Sequence, residues 1–445
     1  MFCRPAKSIL VQSSTFLTYM AVACLWMVAL SGSTVNGQTL ADTALDKIDT
    51  PNEWPWWRGP GRDGKSTASS EAIPDTFSET ENVIWKTTVP GRGHGSPIVI
   101  GNLVCLPTAD ESKQVHSVLA YDRKTGKQLW KTDLSKGGFP ARNHPKNTEA
   151  SSTLASDGTS IFATFFHHKT VELYALSFDG KVVWKKVAGE FDPKMYEYGY
   201  APSPVLYQDM VIVTAEYDGD SFITAFKRSD GSKVWSIERP KSISFSTPMI
   251  APFADKTQLL ISGQQFVSSY DPTNGQPLWS VVGTTFATCG TMVWDGNNVY
   301  ASGGFPKAET LGIAGDGSKK VLWRNNKKCY EQSMLADDGF IYALTDNGIA
   351  YCWEGISGEQ KWEKRLQGPV SASPVLIGNK ILWANEGGTF YVWRASPEKF
   401  ELLAENQVGD ESFASPAVAG DQLFLRVAKQ VDGTRQEFLF CIGKK

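Results

Sequence analysis

The chain repeats itself, and that repetition limits its fold more than any other feature. The stretch "AYDRKTGKQLW", residues 120–130, places an Asp and a Thr-Gly turn ahead of a Trp. The same order of turn, short strand and Trp returns at Asp179-Gly180 with Trp184, Asp230-Gly231 with Trp235 and Asn274-Gly275 with Trp279. It returns again at Asp316-Gly317 with Trp323, two residues longer, and at Ser357-Gly358 with Trp362. A second landmark alternates with the first: Ser96-Pro97, Ser203-Pro204, Thr247-Pro248, Ser373-Pro374 and Ser415-Pro416, with Ser152-Thr153, Thr291-Met292 and Ser333-Met334 in the same slot. Successive slots lie 56, 51, 44, 44, 42, 40 and 42 residues apart. A period near 40–45 residues holding several short strands is the signature of a β-propeller. The Gly, Asn and Asp residues between strands supply the positive φ that tight hairpins need.

Eight slots predict eight blades of four strands, and hence eight outer strands. Six carry the Trp residues just named. "FELLAENQ", near Leu402, is a degenerate seventh, and "NVIWKTTV" with Trp85, upstream of the first slot, is the eighth. The last blade, from Ser415 to Cys441, holds only three strands, so residues 83–89 are expected to complete it and leave no free sheet edge. The fold class is therefore all-β, an eight-bladed β-propeller of Trp-bearing repeats, closed by an N-terminal strand. Trp85, Trp130, Trp184, Trp235, Trp279, Trp323 and Trp362 are read as structural. Each is expected to fill the wedge between blades, at roughly 3–5 kcal/mol per Trp→Ala change.

Three segments precede or make up this ring. Residues 1–37 have Arg4 and Lys7, an apolar run from Phe16 to Leu30 and a small-residue exit, which is the pattern of a cleaved secretory signal peptide. Residues 38–82 form an extension carrying "EWPWWRGPG", and residues 83–445 form the propeller. The three Trp of the extension are expected to cap the base of the propeller, with Arg58 stacked on an aromatic ring; an exposed aromatic patch is the other reading. Arg4 and Lys7 are the leader's only charges, so its removal takes the net charge from −3 to −5, which excludes nucleic-acid binding as the main design. The expected location is periplasmic or secreted, with no membrane span after cleavage. Seven cysteines occur without a C-x-x-C, which removes a covalent c-type haem and a clustered zinc site.

The motif A-x-D-x-x-T-G-x-x-x-W resembles the tryptophan-docking repeat of PQQ-type propellers, which include quinoprotein alcohol dehydrogenases and BamB-like assembly factors. The stretches "WPWWRGPGRDG" (54–64) and "HPKNTEASSTLASDG" (144–158) resemble exported propellers of this kind abundant in planctomycete-type bacteria. The resemblance covers about residues 83–445 and is specific for architecture rather than activity. For the quinoprotein branch it implies PQQ with a Ca²⁺ in the funnel. This chain lacks the adjacent cysteine pair of that branch.

The loops leading into each Ser-Pro slot should open on one face around the axis. They place Arg92, His94, Asn147, Glu149, Tyr200, Tyr330, Glu331 and Glu411 at a funnel mouth, accompanied by Asn143, Tyr198, Phe245, Cys289 and Phe413. Asn147, Glu149 and Glu331 are the oxygen donors suited to a hard cation. The five histidines all fall in the first two blades without a diagnostic spacing, and no metal site is assigned. The reading these residues support is a non-catalytic, exported binding or scaffold propeller with no cofactor, recognising a protein or small ligand at the mouth. The alternatives are a PQQ/Ca²⁺-dependent alcohol or sugar dehydrogenase and a carbohydrate-active or lectin-like propeller whose partner is a polysaccharide.

Overall fold

The computed structural model describes residues 48, 50–241, 243–253 and 256–444. The leader expected over residues 1–37 lies outside them. Every regular element among the described residues is a strand, and no helix there is long and apolar enough to cross a membrane. Eight antiparallel blades of four strands form the propeller. Blades 1 to 7 span residues 98–136, 155–190, 205–238, 249–282, 293–325, 335–365 and 375–407. Blade 8 takes three strands from residues 417–442 and its outer strand from Val83–Val89, which pairs antiparallel with Thr434–Ile442. The ring closes where the strand count requires.

The repeated motif acts between blades as well as within them. Asp122 Oδ1 accepts from the Thr125 amide at 2.8 Å and from its hydroxyl at 2.7 Å, and the Gly126 amide returns to the Asp122 carbonyl at 2.8 Å. This Asx-type turn holds Gly126 at φ +69 with its α-carbon against the ring of Trp85, which belongs to the preceding blade. A Cβ on Gly126 would lie 2.5 Å from that ring. The Trp85 indole N–H donates to the Arg123 carbonyl in the same turn at 2.8 Å. Trp130, Trp184, Trp235, Trp323 and Trp362 donate in the same way to Phe178, Arg228, Pro272, Gly355 and Ser396 of the next blade, at 2.7–3.2 Å. Trp279 departs from the pattern at the longer turn. It donates to Gln258 Oε1, whose Nε2 relays to the Gly315 carbonyl at 3.1 Å. Trp130, Trp184 and Trp235 remain partly exposed, so these side chains are docked rather than wholly immersed between blades.

The register explains the first letter of the motif. Opposite each docking Trp, the third strand carries a small residue: Ala120, Ala175, Ala225, Ser269, Gly312, Cys352 and Cys441. A larger side chain there would push the indole off its turn. Two of the cysteines are therefore small core residues, and Cys105, Cys289, Cys329, Cys352 and Cys441 are all free thiols.

The Trp-rich extension lies across one end of the ring. Trp54 exchanges backbone hydrogen bonds with Val99 of blade 1 at 2.9 Å in both directions, and Lys65–Ser66 pairs in parallel with blade 7 at Leu376 and Ile377. Trp56 joins the core formed with Phe162 and Phe226, while Ile73 and Phe77 join the core around Phe390. Arg58 does not stack on a ring as expected. Burial lowers its pKa to about 10, against the pull of Asp63, and its guanidinium donates to the carbonyls of Met334 at 2.9 Å and Asp63 at 2.8 Å. Arg62 is the stacked cation instead, with its guanidinium 4.6 Å from the Trp56 ring.

Candidate functional site

The inner strands meet at the axis through their hydroxyls. The amide of Ser96 donates to Thr153 Oγ1, Thr153 to Ser203, Ser203 to Thr247, Thr291 to Ser333, Ser333 to Ser373, Ser373 to Ser415 and Ser415 back to Ser96, all at 2.8–3.0 Å. Every such bond ties one blade to the next, which is why the slot demands Ser or Thr. In the second blade the tie is Thr153 rather than its neighbour Ser152. The Thr291 hydroxyl takes a different donor, the indole N–H of Trp57 at 2.8 Å. Trp57 therefore forms the floor of the central channel.

Extended chain repeats its orientation every second residue. Two positions before each ring residue stand His94, Ser151, Ala201, Phe245, Cys289, Glu331, Ser371 and Phe413, and all of them line a single cavity of about 210 Å³ above Trp57. Neighbouring blades put these residues in contact. His94 of blade 1 stacks on Phe413 of blade 8, with ring centroids 4.3 Å apart and planes at 5°. Ser371 of blade 7 hydrogen-bonds Glu331 of blade 6. The same Ser371 hydroxyl reaches Glu386 Oε1 at 2.6 Å. From the loop before blade 2, Lys146 crosses to this side, with Nζ 2.6 Å from Glu386 and 3.6 Å from Glu331.

The Ser371 hydroxyl lies within hydrogen-bond reach of both carboxyls. Burial raises the Glu331 pKa, against the hydrogen bond from Ser371 and the charge of Lys146, whereas Glu386 has the direct ammonium partner. Ser371 thus joins the two carboxyls, and Lys146 pairs with Glu386. Burial opposes the charge on Lys146, but Glu386 and Glu331 raise its pKa overall. His94 is held neutral: burial first, then Arg92, Arg426 and Arg435, push its pKa well below the ordinary range. Its ring meets the Lys146 backbone, and Nε2 is left buried without a partner. Burial pushes the Cys289 thiol up, which keeps it from being a nucleophile at neutral pH.

The residues expected at the mouth divide evenly. His94, Asn147, Tyr330 and Glu331 line the cavity, as do Tyr198, Phe245, Cys289 and Phe413. Arg92 does not; its backbone bridges Ala109, and its guanidinium faces Glu111 at 3.6 Å. Glu149 accepts from Asn143 at 2.9 Å off the cavity, where burial pushes its pKa up to about 7. Tyr200 is a core residue, 6% exposed, whose hydroxyl donates to the Thr214 carbonyl at 2.9 Å. Glu411 bridges Ala428 through its backbone and pairs with Arg435 at 2.9 Å. Trp57, His144, Lys146 and Ser371 complete the lining, and the sequence pattern did not mark them for it.

Asn147, Glu149 and Glu331 do not fit a calcium ion. Glu149 faces Asn143 off the cavity, Asn147 turns its amide to the Tyr198 carbonyl at 2.6 Å, and an ammonium already stands beside Glu331. Among the described residues, no three His, Cys, Asp or Glu side chains gather as metal ligands.

Comparison with known proteins places the chain. The family profile described as outer membrane protein assembly factor BamB matches residues 75–134, 114–364 and 307–425. BamB of Bordetella pertussis is 25% identical over 360 residues, covering 75% of this chain and 80% of that protein. BamB of Yersinia pestis is 25% identical over 378 residues, covering 80% and 88%. Among solved structures, a europium-containing methanol dehydrogenase superimposes with a TM-score of 0.67 at 11% identity, over 91% of this chain and all of that one. BamB from Moraxella catarrhalis does so with a TM-score of 0.55 at 13% identity, over 80% and 99%. At these identities the structural likeness is one of fold.

Proposed function

The chain belongs to the family described as outer membrane protein assembly factor BamB, and on that premise we propose that it is an exported, non-catalytic binding propeller of the periplasm. It holds a ligand in the cavity at the open end of the channel. It presents the rim, where Met195, Tyr198 and Phe305 are exposed, to a protein of the cell envelope. No resident cofactor takes part.

The observation that carries this reading is the pairing within the cavity. Glu331, Ser371, Glu386 and Lys146 are engaged with one another, the Cys289 thiol is protonated and His94 is neutral. Such a site recognises by shape and hydrogen bonding rather than by a poised nucleophile or base. Calorimetric titration with PQQ and Ca²⁺, followed by dye-linked alcohol oxidation, tests it. The expected result is neither binding nor turnover. Tight PQQ binding with turnover would establish the dehydrogenase reading and overturn this one.

A further inference from the structure

We propose that the cavity is a sugar site, built to take one neutral pyranose ring at the exposed end of a glycan. This rests on the cavity being a binding site and names its ligand class.

The argument begins with the floor. Each ring hydroxyl that lines the cavity already accepts one N–H: Ser96 from Ser415, Ser373 from Ser333, and Thr291 from Trp57. A hydroxyl has one proton and two lone pairs. Each therefore keeps its own O–H to donate, and one acceptor position besides. A circle of groups that both donate and accept matches a ligand made of the same groups. An anion would use only the donors, and an ammonium only the acceptors.

Charge balance points the same way. Lys146 pairs with Glu386 and stands 3.6 Å from Glu331. A phosphate or carboxylate entering here meets no free cation. An ammonium meets Lys146. A neutral polyol meets neither penalty, and His94, which lines the cavity, carries a buried Nε2 that no protein group partners. The desolvation cost of that buried nitrogen is recovered only by a ligand that donates to it.

The walls supply the apolar half of sugar recognition. Phe413 backs His94 in a parallel stack, and Phe245, Tyr198 and the Trp57 floor present further ring surface to the same space. Aromatic faces pack against the C–H face of a pyranose while the polar groups read its hydroxyls. Depth sets the extent: Trp57 closes the channel below, so the site takes the end of a chain.

The test uses the full mature protein with methyl glucoside, methyl galactoside, methyl mannoside and N-acetylglucosamine as probes. Inorganic phosphate, glutamate and a set of tripeptides serve as contrasts. Calorimetry and the thermal midpoint report binding. His94→Phe keeps the stack on Phe413 but removes Nε2, and Phe413→Leu keeps bulk but removes the ring. At least one neutral sugar should bind and raise the midpoint. His94→Phe should weaken it tenfold or more while the unliganded midpoint stays within a few degrees of wild type. If His94→Phe fails to fold, Phe413→Leu carries the same expectation. Binding of a peptide or anion in the cavity with no response to any sugar overturns the sugar assignment and leaves the binding propeller standing. Sugar binding indifferent to both substitutions overturns the location. PQQ-dependent turnover overturns the underlying reading as well.

Discussion

Gly126→Ala separates the two demands that the repeat turn makes. The residue stands at φ +69, a region that costs an L-residue about 1–2 kcal/mol. It also touches its neighbour, since the new Cβ would lie 2.5 Å from Trp85. Gly433 supplies the control: φ is +76 there, and a methyl group would meet nothing within 4 Å. Gly433→Ala should therefore cost only the backbone strain, about 1–2 kcal/mol. Gly126→Ala should add the retreat of Trp85. That breaks the indole bond to the Arg123 carbonyl, worth about 0.5–1.5 kcal/mol, and exposes part of a ring that is now 8% exposed. With about 1–2 kcal/mol for that partial loss of burial, the total is about 2.5–5.5 kcal/mol. Urea unfolding followed by far-UV circular dichroism and Trp fluorescence compares the variants on the same transition. Coincidence of the two signals checks that the blades melt together. The midpoint shift for Gly126→Ala should be at least twice that for Gly433→Ala. Equal shifts would refute the docking argument and leave the repeated spacing as turn chemistry alone.

Three further outcomes are expected. A chain beginning at Ser96 lacks Val83–Val89 and bares the Thr434–Ile442 edge, so it should aggregate, whereas a chain beginning at residue 80 should stay soluble but melt lower for want of Trp54, Trp56, Ile73 and Phe77; size-exclusion chromatography and calorimetry distinguish them. Burial raises Glu149 to about 7, above its ordinary 4.5, so the folded state holds that proton more tightly and stability falls as pH rises between those values. Glu149→Gln should thus match wild type at about pH 4 and exceed it by about 1–3 kcal/mol at about pH 8 in denaturant titrations. Trp57→Phe should lower stability by about 0.5–1.5 kcal/mol through the Thr291 hydroxyl, and unchanged stability would show that this bond adds nothing.

The blade count, the slots and the closing strand were legible because each recurs, and a repeat averages out local ambiguity. The site was half legible, for a geometric reason. Reading every loop residue before a slot as facing the axis brings in Arg92, Glu149, Tyr200 and Glu411 along with the true lining. The slot residue itself carried the missing signal. Counting two back from Ser96, Ser333 and Ser415 gives His94, Glu331 and Phe413, and the same step from Ser373 gives Ser371, which links the two carboxyls. Trp57 and Lys146 had no such signal. They reach the cavity from a segment crossing the base and from a long loop, and their contacts span 234 and 240 residues.

The degenerate outer strand of blade 7 follows from ring closure. In six of the other blades the Trp rests on the turn between the third and fourth strands of the blade ahead. Blade 8 has no such turn, because its third strand ends near Ile442 and its fourth begins anew at Val83. A bond from the Gly443 amide to the Asn82 carbonyl, at 2.9 Å, crosses that gap in place of a turn. A Trp on blade 7 would have no Gly to stack on. By register its place is held by Ala404, and the residue opposite, small in the other blades, has grown to Val392. The volume has moved across the strand pair rather than vanished, and Phe77 from the extension packs against Phe390 nearby, with centroids 6.0 Å apart. Ala404→Trp should accordingly destabilise the protein. Paired with Val392→Ala it should recover only in part, since the indole N–H still lacks the turn carbonyl that the other blades provide. Full recovery in the double variant, measured by the urea midpoint, would show that volume alone governs this position and that the docking bond does not.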